Sequence, residues 1–131
     1  MRTIKFRGKD IESGQWAIGD LHTLCDKPHI HTEHTSFPFA GKRSFVNPDT
    51  IGQFTGLHDK NGKEIYEGDI LTDSWVDFSR KPAYLTVVIF KDGAFGFDLH
   101  YDGFTPMQHL MSDNMKFEVI GNIFDNPELL K

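Results

Sequence analysis

The stretch 84–99 constrains the fold more tightly than any other part of the chain. Residues 84–90 (Tyr-Leu-Thr-Val-Val-Ile-Phe) are dense in β-branched and aromatic side chains, which suit a pleated, half-buried surface. Asp92-Gly93 follows, a pair that accepts positive φ at both positions and so closes a two-residue hairpin. In the return segment Phe95, Phe97 and Leu99 alternate with Ala94, Gly96 and Asp98. A period of two puts the large side chains on one face. An antiparallel hairpin is therefore expected here, and its apolar face needs a partner to cover it.

The same period recurs along the chain. Ile4 and Phe6 alternate with Thr3, Lys5 and Arg7; Ser13-Gly14 reads as a turn; 15–21, with Trp16 and Ile18, reads as the return strand. Residues 51–57 are extended, Asn61-Gly62 suggests a type I′ turn, and Glu64, Ile65 and Tyr66 lead away from it. Gly68 supplies a backbone bend before Asp69, Ile70 and Leu71 open another strand. Residues 117–124 form the last strand. Short helical turns are expected at 106–113, with Thr105 as N-cap and Pro106 first, and after Asn126, with Pro127 first. Between 22 and 47 the periodicity dissolves around Pro28, Pro38 and Gly41, which predicts an irregular loop suited to recognition.

Short strands with frequent turn signals define a mainly β protein, a small barrel or sandwich. At 131 residues one domain accounts for the chain. Only 38% of residues are apolar, but 12 Phe, 3 Tyr and 2 Trp let a few rings fill the core. The net charge of −5 argues against a protein that coats duplex DNA through its phosphates. Cys25 is the only cysteine, so no internal disulfide forms and a reducing, cytoplasmic location is expected. The amino-terminal residues lack a signal-like apolar run, and the longest apolar run, 87–90, is far too short to span a bilayer.

His29-x-His31-x-x-His34, with His22, Cys25, Asp26 and Glu33 nearby, is the densest cluster of metal-ligand types. On an extended segment His29 and His31 share a face and could chelate zinc. The spacing fits no usual Cys-His framework, so exposed loop histidines are the plainer reading, and no metal or cofactor is expected. Gly8-Lys9, Gly41-Lys42 and Gly62-Lys63 each lack the Ser or Thr that a phosphate loop needs. Gly52 and Gly56 flank Phe54, leaving room for a ring such as Trp16. Glu64, Glu67, Asp69 and Asp73 form an acidic run, yet Asp69 beside Gly68 is better explained as a local backbone acceptor. No nucleophile elbow is present and Cys25 sits in polar surroundings, so no catalytic residues are assigned. Phe6 with Arg7, and Phe45 with Arg43, are the pairs that would stack unpaired bases.

Three blocks carry a family resemblance: Ile4-Lys5-Phe6-Arg7-Gly8-Lys9 with Trp16; Thr50-Ile51-Gly52-Gln53-Phe54-Thr55-Gly56-Leu57 with 59–70; and 117–130, which contains Gly121-Asn122-Ile123-Phe124-Asp125-Asn126-Pro127. Together they resemble the YopX family of phage and prophage proteins. The resemblance implies an SH3-like β-barrel over 50–131, preceded by an N-terminal β region with its irregular loop over 1–49. It supplies no catalytic residues, because the family's role is unassigned. Within the blocks, Arg7, Gln53, Thr55, Asp59 and Lys60 are the candidate binding residues. The expected role is a non-enzymatic module that binds a protein partner or another copy of itself. The alternative is a single-stranded nucleic-acid binder in phage replication or regulation.

Overall fold

Alternating apolar residues in two separate stretches of this chain gather into two separate cores. The structure, a computed structural model, describes residues 2–32, 42–73, 85–99, 103–107 and 117–130. The chain divides into the units Met1–Phe54 and Thr55–Lys131. His34, Glu33, Pro38, Gly41, Tyr84, the stretch 74–82 and the expected helix beyond Met107 lie outside the described residues.

In the first unit, strands β1 (Phe6–Lys9), β2 (Trp16–Leu24), β3 (Lys27–His31) and β4 (Arg43–Phe45) pair antiparallel, and the opening residues of β5 (Gly52–His58) pair with β1. The β1–β2 turn is held by Asp10, whose carboxylate accepts from the Glu12 and Ser13 amides at 2.9 and 2.8 Å. Gly14 turns the chain at φ 72°, as the Ser13-Gly14 signal predicts. The Ser44 hydroxyl also donates to Asp10, and these bonds lower its pKa to about 2. Ala17, Ile30 and Val46 form the core, with Phe6, Leu21 and Ile51 against them. Gly8 lies under Val46, where an added Cβ would stand 2.9 Å from the Val46 side chain.

The irregular loop expected between 22 and 47 is a hairpin for much of its length. β2 runs on to Leu24, Cys25 and Asp26 take φ 50° and 63°, and β3 returns with Leu24 opposite Lys27. Both turn residues are left-handed, as a type I′ turn requires, but neither is Gly or Asn. A turn built on Cys-Asp carries no sequence signal, and the proline at 28 sits where a strand is least expected. A 3-10 turn, Pro48–Thr50, capped by the Asn47 side chain on the Asp49 amide, leads into β5.

The second unit begins inside β5. β6 (Glu64–Tyr66) precedes the sheet, in which β7 (Asp69–Asp73), β8 (Leu85–Lys91), β9 (Ala94–Leu99) and β10 (Gly103–Pro106) form a meander and β11 (Phe117–Asn122) returns beside β7. Asp92 and Gly93 take φ 52° and 80°, the expected two-residue turn. Phe97 is fully buried and stacks on Phe117 with centroids 4.9 Å apart; Ile65, Leu71, Val88, Met107 and Val119 complete the core. Truncating a ring in such a place costs roughly 3–5 kcal/mol. On the other face of β9, Gly96 leaves room for Phe104, whose ring atoms would stand 2.4 Å from an added Cβ.

Several local expectations change in detail. Asn61-Gly62 is not a two-residue turn: only Gly62 has positive φ (83°), and the Asp59 carboxylate organises the loop from the Asn61 and Lys63 amides. Thr105 and Pro106 belong to strand β10, and the first helical residue is the next one, Met107. Pro127 does open a 3-10 turn, Pro127–Leu130, but the Asn126 side chain bonds backward to the Asn122 amide at 3.2 Å. The described residues form two antiparallel sheets and no closed barrel, so the architecture stands as mainly β.

Candidate functional site

In a strand, neighbouring side chains point to opposite faces, and cross-strand partners share one. In the first unit Phe6, Ala17, Leu21 and Ile30 turn toward its core. The register then assigns Arg7, Lys9, Trp16, Ile18, Asp20, His22, His29, His31, Arg43 and Phe45 to the opposite face. That face is neither plainly polar nor plainly apolar. Ile18, Leu24 and Phe45 are 43%, 49% and 37% exposed there.

At one end Trp16 carries two cations. The Arg7 guanidinium carbon lies 4.6 Å from its ring centroid and the Lys9 ammonium 5.5 Å. Such contacts are worth about 0.5–1 kcal/mol when exposed and about 2 kcal/mol when desolvated. Arg7 is itself buried. Phe54 is buried and has the Lys5 ammonium 5.0 Å from its ring centroid.

At the other end, three imidazoles crowd together. His22 on β2 is the direct partner of His29 on β3, and His31 follows two residues later on the same face, opposite Asp20. The Nε2 atoms of His29 and His31 are 3.1 Å apart. Ring centroids are 4.3 Å apart for His22 and His31, 5.0 Å for His29 and His31, and 5.5 Å for His22 and His29. Phe45 on β4 packs against His29 at 5.4 Å. His29 is only 4% exposed, because rings cover it although it lies close to the surface. Its Nδ1 is buried without a hydrogen-bond partner; the Lys27 backbone oxygen favours the charged ring but falls short of hydrogen-bond geometry.

Burial pushes the His29 pKa down, and His31, Arg43 and His22 push the same way. His31 is lowered by desolvation, then by His22 and Arg43, with Asp20 opposing. Both shifts favour the neutral ring, the form that presents a lone pair. The sequence flags His29 and His31 as a pair that could chelate on an extended segment but favours exposed loop histidines; the structure places both on strand β3 and buries His29. The sequence names His22 as nearby but does not reveal it as the cross-strand partner of His29, because that pairing depends on the Cys25-Asp26 turn. His34 lies outside the described residues.

The residues picked from the sequence blocks divide by position. Arg7 pairs with Gly52, and Gln53 pairs with Phe6, so Arg7 and Gln53 occupy opposite faces of the first sheet. In the second unit the Thr55 hydroxyl donates to the Ile65 carbonyl at 2.8 Å and accepts from the Leu57 amide at 3.2 Å. Asp59 is buried and accepts from the Asn61, Lys63 and Val119 amides. Lys60 stands 3.4 Å from Glu118. Asp69, as expected, accepts from a local amide, that of Tyr66, at 2.8 Å.

The described residues define a mainly β protein of two antiparallel sheets. The family comparison is more specific. The model of the YopX protein family matches residues 5–131, and this chain belongs to that family. It is similar to the crystal structure of protein EF1440 from Enterococcus faecalis, with 28% identity, a TM-score of 0.64 and full coverage of both chains. It is also similar in fold to the protein YopX from Bacillus subtilis, with 23% identity and a TM-score of 0.61, covering 100% of this chain and 98% of that one. A search of curated proteins gives no match. No described helix is long and apolar enough to cross a membrane.

Proposed function

We propose that this chain is a non-enzymatic β module of a phage or prophage, acting in the host cytoplasm, that binds a protein partner or a second copy of itself through the outer face of its N-terminal sheet. An SH3-like character for 50–131, within one domain of 131 residues, is part of this reading, and the four-stranded meander with its returning strand supports it. The observation that carries the binding role is the exposure of Ile18, Leu24 and Phe45 on one face, with Arg43 and Lys27 at its rim. Apolar centres with polar rims are how protein interfaces are built. In this reading Arg7 holds Trp16 in place, while Gln53, Thr55, Asp59 and Lys60 support the scaffold.

Sedimentation velocity over a concentration series, combined with affinity capture from host lysate, tests this. The expected result is self-association or a captured protein, either one lost when Ile18→Glu and Phe45→Glu are combined. A chain that stays monomeric and captures nothing contradicts the proposal.

A second reading, single-stranded nucleic-acid binding, is favoured by the cations stacked on Trp16. Fluorescence anisotropy with labelled oligonucleotides at two salt concentrations decides it. Binding that weakens steeply with salt and is lost in Trp16→Ala supports this reading, and no binding at low salt removes it.

A further inference from the structure

We propose that His22, His29 and His31 form a three-imidazole site for a divalent transition-metal ion of the zinc type. The backbone register sets the geometry. Residues two apart on a strand are separated by about 6.5 Å, and directly opposed Cβ atoms by about 4.5–5.5 Å. A His-x-His pair on β3 with a third histidine opposite its first member therefore presents three ring nitrogens to one volume above the sheet. Two of them are already close: Nε2 of His29 and of His31 are 3.1 Å apart. Metal–nitrogen bonds of about 2.0–2.1 Å in a tetrahedral set place ligand nitrogens about 3.3 Å apart, so an ion fits between this pair after a small opening.

His22 completes the set by turning. Its ring centroid is 4.3 Å from that of His31, and it is exposed, so rotation about its side-chain bonds meets little resistance. Among the described residues no three donors already surround one point, so this rotation is required. Three imidazoles leave a fourth position open to water, the arrangement of a three-histidine zinc site. An all-nitrogen set without thiolate suits zinc, nickel and copper and disfavours magnesium and calcium.

The surroundings support such a role. Buried His29 packs against Phe45, and its Nδ1 is buried without a hydrogen-bond partner. Asp20 is directly opposite His31, so a negative charge stands beside the site and favours a bound cation. Arg43, opposite His31, is the charge that works against a cation, and its exposure lets solvent weaken that effect.

Tag-free protein titrated with zinc by calorimetry, and with cobalt(II) by visible absorption, tests the assignment. The expected result is one saturable equivalent and the intense bands of a four-coordinate cobalt site. His22→Ala and His31→Asn should each weaken binding at least tenfold, while His58→Ala leaves it unchanged. Because His29 is buried, circular dichroism of each variant must match the unsubstituted chain, and the two more accessible histidines carry the test. Absence of saturable binding overturns the site, as does binding untouched by either substitution. Loss in His31→Asn with full retention in His22→Ala overturns the three-imidazole assignment in favour of a two-histidine chelate. None of these results depends on whether the chain associates through Ile18 and Phe45.

Discussion

The Asp59 carboxylate accepts the Val119 amide at 3.0 Å, tying the loop after β5 to a strand sixty residues later. The same carboxylate holds the Asn61 and Lys63 amides, so one buried side chain fixes both a turn and a long-range contact. Asp59→Ala leaves buried donors without an acceptor, and a loss of about 3 kcal/mol is expected in urea unfolding. Asp59→Asn keeps one acceptor oxygen and should lose less.

Acid should weaken the same point. Burial alone would raise the Asp59 pKa, but the Val119, Lys63 and Asn61 amides outweigh it and hold the group below its ordinary 3.8. A depressed carboxylate stabilises the fold above the unfolded value and loses that contribution as pH falls through the folded one. Asp10, lowered to about 2, behaves in the same way between 3.8 and that value. Urea midpoints should therefore fall below 3.8, and the fall should be shallower in Asp59→Asn.

The histidine cluster predicts a second pH window. His29 and His31 titrate below 6.5 in the folded chain, so the unfolded chain binds more protons as pH drops past that value. Stability in metal-free buffer should decline as pH falls through 6.5. His31→Asn should flatten that decline, as read from urea midpoints across the range.

The β2–β3 turn offers a stabilising change. Cys25 and Asp26 hold φ 50° and 63°, conformations that Asn and Gly adopt with less strain. Cys25→Asn combined with Asp26→Gly should raise stability by about 1 kcal/mol and the melting temperature by several degrees. A lower melting temperature would count against the type I′ geometry.

Glycines separate steric from conformational demands. Gly96→Ala meets Phe104 at 2.4 Å and the Thr105 carbonyl oxygen at 2.5 Å, and should lose about 2–3 kcal/mol. Gly62→Ala meets open space, so only its φ of 83° resists, and about 1 kcal/mol is expected. Thermal melts of both variants test the ranking.

These residues also show what a reader of the sequence can and cannot see. Asp92-Gly93 announces its hairpin because the pair itself prefers the required φ angles. Cys25-Asp26 makes the same turn with no such preference, held by the pairing of β2 and β3 on either side, so nothing in the sequence announces that hairpin. Asn61-Gly62 misleads in the other direction: its preference is real, but the Asp59 carboxylate imposes a longer loop. The candidate site follows this pattern. His29 and His31 are legible because they lie on one strand, whereas His22 joins them only through the unannounced turn. The outward placement of Ile18 and Phe45 depends on registers that a strand's period alone leaves open.

Amide and indole shifts mapped by nuclear magnetic resonance test the central claim most directly, as the chain is concentrated or its captured partner is added. The outer-face account predicts that the signals that move cluster at Trp16, Ile18, Leu24 and Phe45. Movement confined to Thr55–Lys131, or none in either titration, contradicts it.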